Sequence, residues 1–143
     1  PRHRHRGRRR VSPDLAGLEA ANERFYQALE RADLDAMEAV WAHDAGVVCV
    51  HPGSELISGW PAVRRSWAAV FASGQYLQLI ITDVRARVLA DAGVVTCTEN
   101  ALAGLPGGGL AGGRSLATNV FVWDGGAWRM VAHHASPVLR RGR

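Results

Sequence analysis

The sequence predicts an α+β domain, with helices in its first half and an antiparallel run of strands in its second. Three observations carry this. Apolar residues recur at spacings of three and four from Leu15 to Ala32, and again from Trp60 to Phe71, which is the helical period. From Tyr76 onward the chain is rich in β-branched and aromatic residues. The turn signals Asp91-Ala92-Gly93 and Asp124-Gly125 cut that region into segments of hairpin length. Helices first and an antiparallel meander after them give helices packed on one face of a sheet.

Each element follows in order. Ser12-Pro13-Asp14 suits a helix start: Ser12 as cap, Pro13 in the first helical position, Asp14 near the positive end of the dipole. Leu15, Leu18, Asn22, Phe25, Leu29 and Ala32 then share one face of a helix over 13–31. Asp33 caps a second, short helix that buries Met37, Val40 and Trp41. Val47–Val50 reads as a strand, and His51–Gly59 as a turn-rich loop. Pro61 stands in the first turn of a third helix, whose stripe is Trp60, Val63, Trp67, Val70 and Phe71 and whose stop is Gly74. Tyr76–Ala90 is one long, bent or bulged strand, and Val94–Leu102 the next. Leu105–Arg114 lacks the GK[ST] ending and following helix of a phosphate loop, so it reads as a flexible hairpin connection. Ser115–Trp123 and Ala127–Ser136 close the meander.

With 143 residues the chain suits one domain with a sizeable core. No apolar run approaches a membrane span and no apolar segment follows the charged N-terminus, so a cytoplasmic setting is expected. Cys49 and Cys97 have no neighbouring cysteine, which excludes a zinc ribbon or a redox CxxC, and both read as buried thiols. All 17 basic residues are arginine. Six fall in residues 1–10 and three in 140–143, leaving a net acidic body. The organisation read from this is an Arg/His-rich tail at 1–11, one domain at 12–139 and a basic tail at 140–143. The N-terminal tail reads as a solvated extension, its alternative being weak contact with nucleic acid or another polyanion.

The order of elements, together with FYQALERADLDAMEAVWAHDAGVVCVHPG (Phe25–Gly53), SGWPAVRRSWAAVF (Ser58–Phe71), TCTEN (Thr96–Asn100), ATNVF (Ala117–Phe121) and WRMVAHHASPV (Trp128–Val138), resembles the NTF2-like superfamily. Within it, the SnoaL-like and DUF4440-type branch is the most similar. The resemblance implies a cone-shaped fold, three helices on a curved, mostly antiparallel sheet with a pocket between them, and a homodimer through the outer sheet face. Its members include ketosteroid isomerases, polyketide cyclases, hydratases and non-enzymatic association domains. The isomerases' helix tyrosine matches Phe25, which has no donor, while Tyr26 lies about 100° round the helix. The carboxylate base of those enzymes is matched by His51. On that comparison the isomerase mechanism lacks an electrostatic component.

His51 is therefore the candidate base, its plainer role being to fix the HPG turn through a backbone hydrogen bond. Trp41, Trp67, Glu99, Asn119, His134 and Ser136 are candidate ligand-binding residues. Trp41 and Trp67 serve equally as core, and Glu99 and Asn119 line a pocket or an exposed face. His133 and His134 are adjacent, and successive strand side chains point to opposite faces. A regular strand groups His134 with Trp128, Met130 and Ser136, the set assigned to the cavity, with a dimer-facing orientation as the alternative. No helical H-x3-H pair exists and no carboxylate stands at ligand spacing from His51 or His134, so no metal and no cofactor are expected. A Ser136–His51–Asp44 triad is disfavoured, because Ser136 is on no strained elbow. Three functions remain open: a homodimeric domain binding a small, largely apolar molecule; a cofactor-independent isomerase, cyclase or hydratase using His51; or a non-catalytic association module.

Overall fold

The computed structural model describes residues 12–74, 77–104, 107–108 and 110–139. The segments read as tails, 1–11 and 140–143, lie outside the described residues. Three helices, α1 (Leu15–Glu30), α2 (Leu34–Val40) and α3 (Trp60–Ala72), accompany six strands. These are β1 (Val48–Val50), β2 (Ile57–Ser58), β3 (Leu77–Leu89), β4 (Ala92–Gly104), β5 (Leu110–Trp123) and β6 (Trp128–Pro137). They form one unclosed sheet of order β2-β1-β6-β5-β4-β3. Every neighbouring pair is antiparallel except β1 and β6, which run parallel.

Asp14 caps α1, not Ser12: its side chain accepts from Gly17 N at 2.8 Å. The carboxylate does the work that the hydroxyl was expected to do, worth about 1 kcal/mol. The helix buries Leu18, Ala21, Asn22, Phe25, Tyr26 and Ala28, an arc wider than one stripe, because it packs against both ends of the meander. It sits so close that a Cβ at Gly93 would come within 2.5 Å of Leu18 Cδ1. Asp33 caps α2 as expected, accepting from Ala36 N at 3.0 Å. Pro61 lies in the first turn of α3, and Gly74 follows its C-cap at φ 68°, a conformation glycine adopts without a Cβ penalty.

Three features of the sheet depart from the sequence reading. A two-residue strand, β2, lies inside the turn-rich segment and pairs with Val48 and Cys49. The Gly-rich connection is shorter than expected, since Leu110–Arg114 continue β5 opposite Asn100–Gly104. Glycine is a weak strand former, but here the ladder's backbone hydrogen bonds hold Gly112 and Gly113 in register. The third feature is in β6. Val120 pairs with Ala132 and Phe121 with Met130, so Val131 is an extra residue, a β-bulge. The alternation of β6 changes phase there: Trp128 and Met130 are buried, and so are His133 and Ala135. The bulge expected in the long strand falls between Thr82 and Arg85, where Asp83 has φ 53°.

The concave face of the sheet carries Val95, Cys97, Ala117, Phe121 and Met130, buried against the helices. Val94 and Thr96 therefore take the outer face, where Ile80 and Leu116 stand 59% and 55% exposed. No helix among the described residues is long and apolar enough to cross a membrane.

Candidate functional site

Polar side chains meet inside the cone, where water cannot satisfy them. Asn119 on β5 is fully buried and occupies the centre. Its Nδ2 donates to Asn22 Oδ1 at 2.9 Å and to Tyr26 Oη at 3.0 Å, both on α1. Its Oδ1 lies 2.6 Å from His133 Nδ1 on β6. Tyr26 Oη in turn donates to Glu99 Oε2 on β4 at 2.7 Å and lies 3.2 Å from Cys97 Sγ. Four elements, α1, β4, β5 and β6, joined by bonds between residues up to 97 apart in sequence, thus close one network. Buried polar groups are costly unless paired, and each of these is paired.

The directions of these bonds are set by their donors. Asn119 Oδ1 accepts, so His133 Nδ1 carries the proton and donates, leaving His133 Nε2 as the acceptor nitrogen. Burial, and then the neighbouring imidazoles of His51 and His134, push His133 down to about 3, so it stays neutral. Burial raises the Glu99 carboxyl above its ordinary range, the Tyr26 hydrogen bond opposing this in part. Burial also raises Tyr26, with the Glu99 charge adding to it. Burial thus shifts the Glu99 carboxyl and the Tyr26 phenol toward their neutral forms.

His51 stands at the other side of the cluster, directly after β1. Ser66 Oγ donates to Val63 O at 2.7 Å, so it accepts from His51 Nε2 at 3.0 Å. That hydrogen bond fixes the tautomer and leaves His51 Nδ1 unprotonated. Burial lowers His51, which keeps it a neutral base. Cys49 Sγ lies 3.9 Å from His51 Nε2, and burial pushes the thiol up to about 12. The Trp67 ring packs edge-on to His51 at 4.6 Å and lies 5.9 Å from His133 and 5.6 Å from Phe25. A cleft of about 400 Å³ opens between α1 and β3, and Asn22 and Tyr26 form part of its wall, with Leu79 and Ile81 opposite. This size suits a small molecule.

Of the residues expected from sequence, His51, Trp67, Glu99 and Asn119 are brought into this interior. Trp41 is not: it is buried at the end of α2, its indole donating to Met37 Sδ at 3.3 Å and its ring 6.1 Å from Trp60. His134 and Ser136 are corrected outright. Both are exposed on the outer face, because the Val131 bulge puts His133, not His134, in phase with Trp128 and Met130. The β6 histidine that joins His51 in the interior, on either side of the Trp67 ring, is therefore His133. Asp44 is exposed and accepts from Gly46 N at 2.8 Å, far from any role with Ser136. Tyr26, Asn22, Cys97, His133 and Ser66 were missed. Asn22 had a legible signal, a polar residue in the buried stripe of its helix. Tyr26 was set aside for its angle on the helix, yet it is buried and its hydroxyl donates to Glu99 in the interior.

Residues 18–140 match the SnoaL-like domain family, and the chain belongs to it. A solved structure of a proposed dehydratase of the NTF2-like family from Streptomyces avermitilis is 41% identical, with a TM-score of 0.82, covering 89% of this chain and 98% of that one. A proposed calcium/calmodulin-dependent protein kinase type II association domain from Thiobacillus denitrificans is 34% identical, with a TM-score of 0.74, covering 90% and 96%. The F-box protein SKIP8 of Arabidopsis thaliana is 33% identical over 120 residues, which is 84% of this chain and 49% of that protein. The chain thus spans about half the length of that relative. The fold is that of the NTF2-like superfamily, three helices on a curved, open sheet.

Proposed function

We propose that this domain takes a small, largely apolar molecule into its cone and performs cofactor-independent proton transfer on it. The carrying observation is the pairing of a neutral, oriented base with buried acids. His51 has Nδ1 free because Ser66 holds Nε2, and the Tyr26 phenol and the Glu99 carboxyl, which burial shifts toward its neutral form, are hydrogen-bonded to each other in the same interior. A base that removes a proton next to a carbonyl needs donors for the oxyanion that develops, and protonated carboxyl and phenol groups meet that need. Isomerase, cyclase and dehydratase reactions share this step, and the dehydratase description of the Streptomyces relative agrees with it.

The test uses cyclohexenone in deuterated buffer, with proton exchange at its α-carbons followed by NMR. Acceleration by the intact protein, lost in both His51→Ala and Tyr26→Phe, is the expected result. No acceleration by the intact protein refutes the catalytic reading. Native mass spectrometry of protein purified from its source checks binding separately, through a retained small molecule.

The assembly proposed with this function is a homodimer through the outer sheet face. The exposed Ile80 and Leu116 on that face support it, since a large uncovered apolar sheet surface calls for a partner. A monodisperse monomer at micromolar concentration in light scattering refutes it.

A further inference from the structure

The cleft between α1 and β3, about 400 Å³ in volume, has two walls of opposite character. On the helix wall the lining residues stand one turn apart, in rows. Asn22 and Tyr26 form one row, and Glu19 and Glu23 the row beside it. Asn22 and Tyr26 are buried and held by Asn119 at 2.9 and 3.0 Å, so this wall is formed before any ligand arrives. The sheet wall is apolar, made by Leu79, Ile81 and Val84. Strict alternation along β3 would bring Asp83 after Leu79 and Ile81. The bulge between Thr82 and Arg85, with Asp83 at φ 53°, breaks that alternation, and Val84 joins the lining instead of the carboxylate. Val84 is 48% exposed, apolar surface that the fold itself leaves uncovered.

The charges are as one-sided as the walls. Three carboxylates, Glu19, Glu23 and Glu30, line the cleft against one guanidinium, Arg31. Glu30 is engaged: its Oε2 accepts from Leu79 N at 3.1 Å and ties the helix to the strand. Among the described residues, Glu19 and Glu23 make no hydrogen bond or ion pair. The apolar wall calls for hydrocarbon and the free carboxylates call for positive charge, and an organic ammonium ion offers both. An anionic ligand is repelled, and a neutral one of the same shape fills the cleft without meeting its charge. We infer that the α1–β3 cleft is a binding site for a lipophilic ammonium ion, its hydrocarbon body against Leu79, Ile81 and Val84 and its nitrogen beside Glu19 and Glu23. The inference rests on the reading of this domain as a small-molecule binder and names the class of molecule; it does not depend on the catalytic role of His51. Glu19 and Glu23 act here as specificity-determining residues.

The experiment is an NMR titration of the 15N-labelled full chain, read in its backbone amide resonances, with adamantylammonium, adamantanol and adamantanecarboxylate. The three probes share one rigid cage and differ in charge. The expected result is a saturable shift of residues 19–31 and 79–84 with the ammonium, affinity for the alcohol lower by about fivefold or more, and no binding of the carboxylate. Added salt should weaken the ammonium alone. The double variant Glu19→Gln, Glu23→Gln alters two exposed positions of α1 and leaves the core untouched. It should bring the ammonium down to the affinity of the alcohol and leave the alcohol unchanged. Equal affinities of ammonium and alcohol for the parent protein overturn the cation preference and leave the small-molecule reading standing. Ammonium shifts that never saturate, or that spread equally to Asp35 and Asp44, mark a general attraction to an acidic surface and overturn the site. No binding of any of the three overturns the cleft as a ligand site, while proton exchange of cyclohexenone judges the catalytic reading separately.

Discussion

Replacing Asn119 by leucine tests the network at its centre. The two side chains have the same number and branching of heavy atoms, so the change removes the hydrogen bonds without opening a cavity, the bulkier methyl groups adding some crowding. It removes bonds to His133 Nδ1 at 2.6 Å, Asn22 Oδ1 at 2.9 Å and Tyr26 Oη at 3.0 Å. Tyr26 keeps its bond to Glu99, but the His133 N–H and the Asn22 carbonyl oxygen are left without their Asn119 partner inside the cone. At about 1–3 kcal/mol for each stranded group, the expected loss is about 3–5 kcal/mol. This is a large share of the roughly 5–15 kcal/mol that holds an ordinary domain folded. Urea unfolding should show a midpoint lowered by about 2 M with an unchanged slope. Asn100→Leu is the control. Asn100 makes two bonds, to Ile80 O and Thr82 Oγ1, but on the outer face where water replaces them, so its loss should stay under about 1 kcal/mol. A loss below about 1 kcal/mol for Asn119→Leu would refute the reasoning, because the network would then be worth no more than a surface contact.

Two pH effects follow from the same interior. His133 is held to about 3 in the folded protein against 6.5 in the open chain, so the unfolded state takes up a proton that the folded state refuses. Stability should fall as pH drops from 6.5 toward 3, with a slope approaching 1.4 kcal/mol per pH unit from this group, and a midpoint unchanged between pH 7 and 5 would contradict it. Glu99 has the opposite sign: its folded pKa is raised, so its contribution is complete below the ordinary carboxyl range and is lost as pH rises through the folded value. Glu99→Gln keeps an acceptor for Tyr26 and should unfold at higher urea than the parent at pH 8, the advantage disappearing at pH 4.

The fold was legible because long-range burial imposes its period on local sequence. The helical stripe of α1, the Asp33 cap, the Asp124-Gly125 turn and the meander all left local signatures. Asp124 accepts from Gly126 N and Ala127 N, and Gly125 takes φ 96°, as that dipeptide predicts. The site was legible only in part. His51, Trp67, Glu99 and Asn119 stood out as polar or aromatic residues within apolar runs. Tyr26 did not, since its place depends on how wide an arc of α1 the sheet covers, a tertiary quantity. His133 was assigned to the wrong face because strict alternation holds only for a regular strand, and nothing in VAHHASP announces an extra residue at Val131. Leu110–Arg114 escaped because glycine content argues for a loop, whereas the neighbouring strand supplies the pairing.

The bulge at Val131 also determines which kinds of genetic change this interior tolerates. β6 carries two reading frames, one ending at Met130 and one beginning at Ala132, joined by a single spacer. Deleting the spacer joins the frames in phase: Met130 and His133 stay inside, and the strand becomes regular. Straightening the strand without deletion has the opposite effect, sliding one frame past the other and exchanging His133 for His134. Insertions and deletions a few codons apart therefore have unequal consequences here. Length changes confined to the spacer preserve the identity of the inward histidine, while those between Ala135 and the end of the strand leave it untouched and alter only the outer rim. A point substitution acts on one side chain; a one-codon change on the wrong side of the spacer re-addresses half a strand.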